Sequence, residues 1–186
     1  LALDMDGNLL WKVPNGEAWF GSSPGSRSTP TYNDGMLYHM NPNGRLAAYD
    51  AKTGSSVWAI DLREQFAARF GVWALSENVV VEGDKVLCMP GGSRGRVVAL
   101  DKHTGKTVWV NTDIEHFAAY CSPLVATYQG VRQLITMTQR SVVGVDVETG
   151  KLLWSAPFVP RSPQNALTPV FHEGYAFVAC GHSSGC

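Results

Sequence analysis

The chain has 186 residues, 45% of them hydrophobic, and a formal net charge of −1. That length can bury a sizeable core, and the near-neutral balance leaves no electrostatic footprint for nucleic acid or for an anionic membrane surface. No run of about twenty apolar residues is present to span a bilayer as a helix.

In chain order, the sequence opens inside a strand at Leu1, without a basic-then-apolar leader, so its start says nothing about compartment. A turn and return strand follow in Ala2-Leu3-Asp4-Met5-Asp6-Gly7-Asn8-Leu9-Leu10-Trp11. Thr29-Pro30 then precedes a short apolar run, an Asp-Gly turn and a second apolar run. The next segment, Ala48-Tyr49-Asp50-Ala51-Lys52-Thr53-Gly54-Ser55-Ser56-Val57-Trp58, is a fuller version of the opening one. Residues 61–70 are good helix formers with Leu62, Phe66 and Phe70 four apart, which predicts a short amphipathic helix lying as a lid on the fold. Ser76-Glu77 stands where Thr29-Pro30 stood. A third copy runs from Ala99 through Asp101, Thr104 and Gly105 to Trp109. Ser122-Pro123 opens another pair of apolar runs, and a fourth copy runs from Gly144 through Asp146, Thr149 and Gly150 to Trp154. Thr168-Pro169 begins a last strand pair, which reaches Ala179 before the chain stops at Cys186.

The four tryptophans closing these copies are 47, 51 and 45 residues apart. A period of roughly forty to fifty residues in an all-β chain signals propeller blades. Each copy reads as two strands joined by a tight turn, in which the aspartate accepts from backbone N–H groups and the glycine takes up the left-handed conformation. Each tryptophan buries about 150–250 Å². The small residues heading the copies (Ala2, Ala48, Ala99 and Gly144) are expected to seat these rings on the adjacent blade, which makes the motif an interblade dock. Proline cannot donate to a ladder, so the prolines mark innermost, edge strands. The fold expected is all-β, a propeller of four-stranded antiparallel blades. Its divisions are 1–16 (end of a blade), 17–61, 62–112 and 113–158 (whole blades), and 159–186 (start of the next). Three whole blades with half a blade on either side read as an internal piece of a longer ring, with raw strand edges exposed at each end.

Few side chains suggest chemistry. Asp4, Asp50, Asp101 and Asp146 look like acids until the turns account for them. Cys88, Cys121, Cys180 and Cys186 include no adjacent pair and no Cys-x-x-Cys, and the default for Cys88 and Cys180 is a buried thiol. Cys180, His182 and Cys186 supply three ligand types at irregular spacing, and no metal site is assigned to them. The loops entering the inner strands share one face of a propeller. They carry Trp19, Phe20 and Arg27, then Phe70 and Trp73, then His116, Phe117 and Tyr120, then Arg161, Gln164 and Asn165. Aromatics with a few polar groups suit a pocket, or else plug the loop bases against the blades. Arg27, Trp73, His116, Tyr120, Arg161 and Asn165 are the candidates for holding a ligand there, and no catalytic residue is assigned.

The copies Ala-x-Asp-x-x-Thr-Gly-x-x-x-Trp resemble the tryptophan-docking motif of the pyrroloquinoline quinone (PQQ) repeat propellers. The approach Pro24-Gly25-Ser26-Arg27-Ser28-Thr29-Pro30 is similar to inner-strand approaches in bacterial PQQ-like propellers. That superfamily includes quinoprotein alcohol dehydrogenases and the non-enzymatic BamB-like proteins. The resemblance implies an extracytoplasmic ring of usually eight blades, cofactors on the loop face and, in the enzymes, PQQ, calcium and a carboxylate base. Many of those enzymes also have a disulfide between neighbouring cysteines beside the cofactor, and this chain has no neighbouring pair. The function expected is a non-catalytic scaffold or binding surface in the bacterial cell envelope, with no required cofactor. Its partners would be the remaining blades and a protein or small ligand on the loop face. The alternatives are a piece of a PQQ-dependent dehydrogenase of alcohols or sugars, and a ligand-sensing propeller.

Overall fold

A computed structural model describes residues 1–69, 71–160 and 164–180. Three four-stranded antiparallel sheets follow one another. They comprise β3 (Thr31–Asn33), β4 (Met36–Met40), β5 (Arg45–Asp50) and β6 (Ser56–Asp61); then β7 (Val80–Glu82), β8 (Lys85–Cys88), β9 (Val97–Asp101) and β10 (Thr107–Asn111); then β11 (Leu124–Tyr128), β12 (Val131–Met137), β13 (Ser141–Asp146) and β14 (Leu152–Pro157). A two-stranded sheet, β1 (Ala2–Leu3) with β2 (Leu9–Trp11), precedes them, and another, β15 (Val170–His172) with β16 (Tyr175–Phe177), follows. Within each sheet the strands neighbour in sequence order, as propeller blades do.

The repeated turn forms as its residues dictate. Asp50 Oδ1 accepts from Lys52 N at 3.1 Å, Thr53 N at 2.8 Å and Thr53 Oγ1 at 2.8 Å. Asp101 and Asp146 repeat this set with Thr104 and Thr149. The threonine hydroxyl holds the Asp50 and Asp101 carboxyls below their usual range. Gly54, Gly105 and Gly150 close the turns at φ of 74°, 71° and 75°, where a side chain would strain the backbone. In the shortened first copy Asp4 instead accepts from Asp6 N, Asn8 N and Asn8 Nδ2.

The core lies between successive sheets. One apolar cluster joins Tyr38, Leu46 and Trp58 of the first whole sheet to Val86, Val98 and Leu100 of the second. The next joins Leu87, Val97 and Trp109 to Leu134, Val143 and Val145 of the third. At each joint an indole crosses to the following sheet. Trp11 Nε1 donates to Ala51 O at 3.2 Å, Trp58 Nε1 to Lys102 O at 2.8 Å and Trp109 Nε1 to Val147 O at 2.9 Å.

The seat under each ring differs from the one expected. Ala48, Ala99 and Gly144 are the cross-strand partners of Trp58, Trp109 and Trp154 in their own sheets, as Ala2 is of Trp11. The neighbouring sheet receives the ring on its turn glycine. A Cβ on Gly54 would stand 2.8 Å from the Trp11 ring and one on Gly105 2.7 Å from the Trp58 ring, while one on Gly150 would collide with Trp109. The glycine therefore has two duties, turning the chain and leaving a flat surface for an indole. Trp154 has no such seat among the described residues; its Nε1 donates at 2.6 Å to Gln133 Oε1 of its own sheet.

The predicted helix is shorter than the 61–70 pattern. It spans Leu62–Phe66, with Asp61 capping Arg63 N and Glu64 N and Ala67 closing it in the left-handed region at φ 53°. Leu62 and Phe66 are buried, and Phe70 lies outside the described residues. No described helix is long and apolar enough to cross a membrane.

Candidate functional site

The inner strands are tied to one another near their starts. Thr31 Oγ1 donates to Val79 O at 2.6 Å, Thr29 N to Asn78 Oδ1 at 2.6 Å, Asn78 N to Ser122 Oγ at 2.9 Å and Ser76 Oγ to Tyr120 O at 3.3 Å. These bonds run from blade to blade, so the loops entering the strands are held side by side. Between them opens a cleft of about 360 Å³ lined by Arg27, Trp73, Ser76, Tyr120, Gln164 and Ala166.

Four successive loops thus contribute one or more groups each. Arg27 is fixed by its Nη2, which donates to Ser22 O and, at 2.5 Å, to Ser23 O; its Nη1 is shielded from solvent without a hydrogen-bond partner. Trp73 and Tyr120 are half-buried. Burial raises the Tyr120 phenol above its ordinary value, while a backbone bond from Trp73 and the Arg27 charge oppose the rise. Gly71 lets the phenol reach this place, since a Cβ there would collide with Tyr120 Oη.

Of the six residues expected on this face, Arg27, Trp73 and Tyr120 line the cleft. His116 does not: it lines a separate hollow of about 370 Å³ with Asp113, Glu115 and Arg140. Asn165 is fully buried and acts as a strut. Its Nδ2 donates to Thr138 O at 2.8 Å, its carbonyl accepts from Tyr120 N at 2.9 Å, and its Oδ1 has no partner. Arg161 lies outside the described residues. Phe117 is clasped by the guanidinium groups of Arg69 and Arg96, each 4.9 Å from the ring centre, an arrangement that favours packing over ligand contact. Phe20 is 84% exposed, and Trp19 donates to Ser22 O at 3.2 Å.

Ser76 and Glu77 deserve a place that sequence reading did not give them. Their only signal is the departure from the Thr/Ser-Pro pattern. Glu77 is 4% exposed and accepts from Met89 N at 2.6 Å; burial pushes its carboxyl up to about 8 against that hydrogen bond, so it is protonated at neutral pH. Burial also raises the Cys88 thiol and pushes that of Cys121 up to about 11. These two and Cys180 are free thiols, inert by burial. Cys186 and His182 lie outside the described residues.

The fit to the cofactors implied by the resemblance is uneven. An unpartnered guanidinium nitrogen, an indole, a phenol and an amide suit a flat, carboxylate-bearing ring of the PQQ kind. Groups of three or more His, Cys, Asp or Glu placed to hold a metal are not found among the described residues.

Known proteins agree with this architecture. The family model described as "Outer membrane protein assembly factor BamB", a PQQ-repeat family, matches residues 1–186. The quinoprotein ethanol dehydrogenase of Pseudomonas putida is 31% identical over 173 residues, 86% of this chain and 27% of that protein. The chain spans about a quarter of the length of the curated relatives it matches. BamB from Moraxella catarrhalis superposes with a TM-score of 0.58 at 19% identity, over 83% of this chain and 44% of that one. The computationally designed Ika4 protein superposes with a TM-score of 0.59 at 12% identity, over 90% and 91%. With its repeated docking turns, its radial sheets and a family match along its whole length, the chain belongs to the PQQ-repeat β-propeller family.

Proposed function

We propose that this segment is a non-catalytic propeller scaffold of the bacterial cell envelope that presents a binding surface on its loop face. The observation carrying this reading is the division of labour among its polar groups. The repeated aspartates are consumed by their turns, and Glu77 is sealed in the core as a neutral acid. Among the described residues, Arg27, Trp73, Tyr120 and Gln164, from four loops, line the cleft on the loop face. Such a surface suits a flat anionic group or a partner's acidic side chain. The envelope location follows the family resemblance.

The similarity to quinoprotein ethanol dehydrogenase favours a second reading, in which the segment forms part of a PQQ enzyme and the same cleft holds one wall of the cofactor. When bound, PQQ would supply the hydride- or electron-accepting chemistry; Arg27 and Trp73 would bind and orient it. Titration with PQQ and calcium at micromolar concentrations, followed by tryptophan fluorescence and by dye reduction with alcohols or sugars, separates the two. The scaffold reading predicts no dye reduction. Turnover that is lost in Arg27→Ala would overturn it in favour of the enzyme.

A further inference from the structure

We propose that the hollow beside His116 is a docking site for a short amphipathic helical turn of a partner protein, one that carries an apolar pair four residues apart and a basic side chain. The hollow lies between the second and third whole sheets. The loop after β10, with Asp113, Ile114 and Glu115, forms one wall, and Arg140, Val143 and Leu152 of the third sheet form the other. Ile114, Val143 and Leu152 belong to the apolar cluster that joins these two sheets, so both walls are internal to the chain.

The preceding joint shows what fills such a place. There α1 (Leu62–Phe66) lies in the loop leaving β6, as the Asp113 loop leaves β10. Its Leu62 and Phe66, four apart, are buried. Phe66 rests on the turn between the second and third strands of the next sheet, where a Cβ on Gly95 would stand 2.9 Å from the ring. Arg94 of that turn closes the helix C-terminus, its guanidinium donating to Glu64 O and, at 3.4 Å, to Gln65 O. Gln65 Nε2 donates at 2.9 Å to Thr107 Oγ1 of the outer strand.

At the next joint the receiving side is kept and no helix is formed among the described residues. Residues 112–123 connect β10 to β11, against 62–79 from β6 to β7, and the turn from β12 to β13 is 138–140, against 89–96 from β8 to β9. Arg140 stands in this turn as Arg94 stands in the other, and Leu152 precedes Trp154 by two residues as Thr107 precedes Trp109. Leucine in place of threonine makes the floor more apolar, which favours a docked side chain. The Asp113, Glu115 and Arg140 side chains are exposed. Among the described residues their carboxylates and guanidinium have no hydrogen-bond or ion-pair partner, and only the backbone N–H groups of Asp113 and Arg140 are bonded nearby. A helical turn brings free carbonyls at its C-terminal end for Arg140, and its basic side chain complements the two carboxylates. An amphipathic helix lying in an apolar groove is a common mode of recognition. The site is separate from the loop-face cleft, so it stands or falls independently of what that cleft holds.

The test is fluorescence anisotropy of the full 186-residue chain with a labelled, hydrocarbon-stapled peptide of the 61–69 sequence carrying Glu64→Lys. Binding in the micromolar range is expected, and its loss when the peptide also carries Leu62→Ser and Phe66→Ser. In the chain, Arg140→Glu should weaken binding about tenfold. Asp113→Asn with Glu115→Gln should weaken it about threefold at low salt and less at high salt. Ser155 lines the hollow and is exposed, so Ser155→Tyr should fill it and abolish binding, while Arg27→Ala in the cleft should leave binding unchanged. Far-ultraviolet spectra and unfolding midpoints like those of wild type verify that each variant is folded. No binding of the peptide, binding indifferent to Arg140→Glu, or displacement of the peptide by free leucine or arginine would overturn the proposal, the last in favour of a small zwitterionic ligand.

Discussion

The joint between the second and third whole sheets and the far side of the third carry the same motif and meet different fates. Trp109 lies on Gly150, bonds to Val147 O at 2.9 Å and is 9% exposed; Asn111 Nδ2 adds a second bond across the joint to Gly150 O at 2.8 Å. Trp154, an equivalent residue in an equivalent strand, is only half-buried and turns to Gln133 of its own sheet. The difference teaches that the motif is half of a contact. An indole is stabilised by the neighbour that receives it, and the copy containing the tryptophan does not encode that neighbour.

The contrast can be broken most forcefully at Trp109. Trp109→Ala should cost about 3–5 kcal/mol in urea unfolding, as the loss of a large buried aromatic does. Trp154→Ala should cost about 1–2 kcal/mol in dilute solution, within the ordinary range for a half-buried residue. Equal costs would mean that docking adds nothing to burial within a sheet.

The glycines sharpen the same comparison with a smaller effect. Gly7→Ala and Gly150→Ala both place a side chain at positive φ, 84° and 75°, which costs about 1–2 kcal/mol. Only at Gly150 does the new methyl strike an indole, adding about 1–3 kcal/mol of overpacking. Thermal unfolding of the two variants side by side measures the gap, and a larger loss at Gly7 would reverse the assignment.

A further effect concerns pH. Glu77 has a folded-state value of about 8 against an ordinary 4.5. The folded chain therefore keeps a proton that the unfolded chain releases. Its contribution is full below about pH 4.5 and is lost as pH rises toward 8. Glu77→Gln retains an acceptor for Met89 N and should flatten that decline in unfolding midpoint between pH 5 and 8, in the range of ~1–3 kcal/mol. A variant with the same slope as wild type would show that Glu77 does not hold the proton.

The propeller was legible because its signals are local and repeated. Asp50, Thr53 and Gly54 need only one another to form a turn, and the copies at Asp101 and Asp146 multiply the signal. The seat was misplaced for a related reason: Ala48 and Trp58 are opposite each other across two adjacent strands, and sequence spacing does not say which of two small residues in a repeat lies above or below a ring. The cleft was half legible. Arg27, Trp73 and Tyr120 share it because three loops are bound side by side by bonds such as Thr29 N to Asn78 Oδ1, 49 residues apart. His116 precedes its strand by only a few more residues than Tyr120, yet the loop carries it to another hollow. Glu77 was visible only as a break in a pattern, because burial rather than composition gives it its character.

The claim on which the rest depends is that an indole from one sheet rests on a turn glycine of the next. A double-mutant cycle on Trp109→Ala and Gly150→Ala measures that contact directly. Once the ring is gone the methyl has room, so the account predicts that the double variant is more stable than the summed single losses imply, by about 1–3 kcal/mol. Strictly additive losses would contradict it.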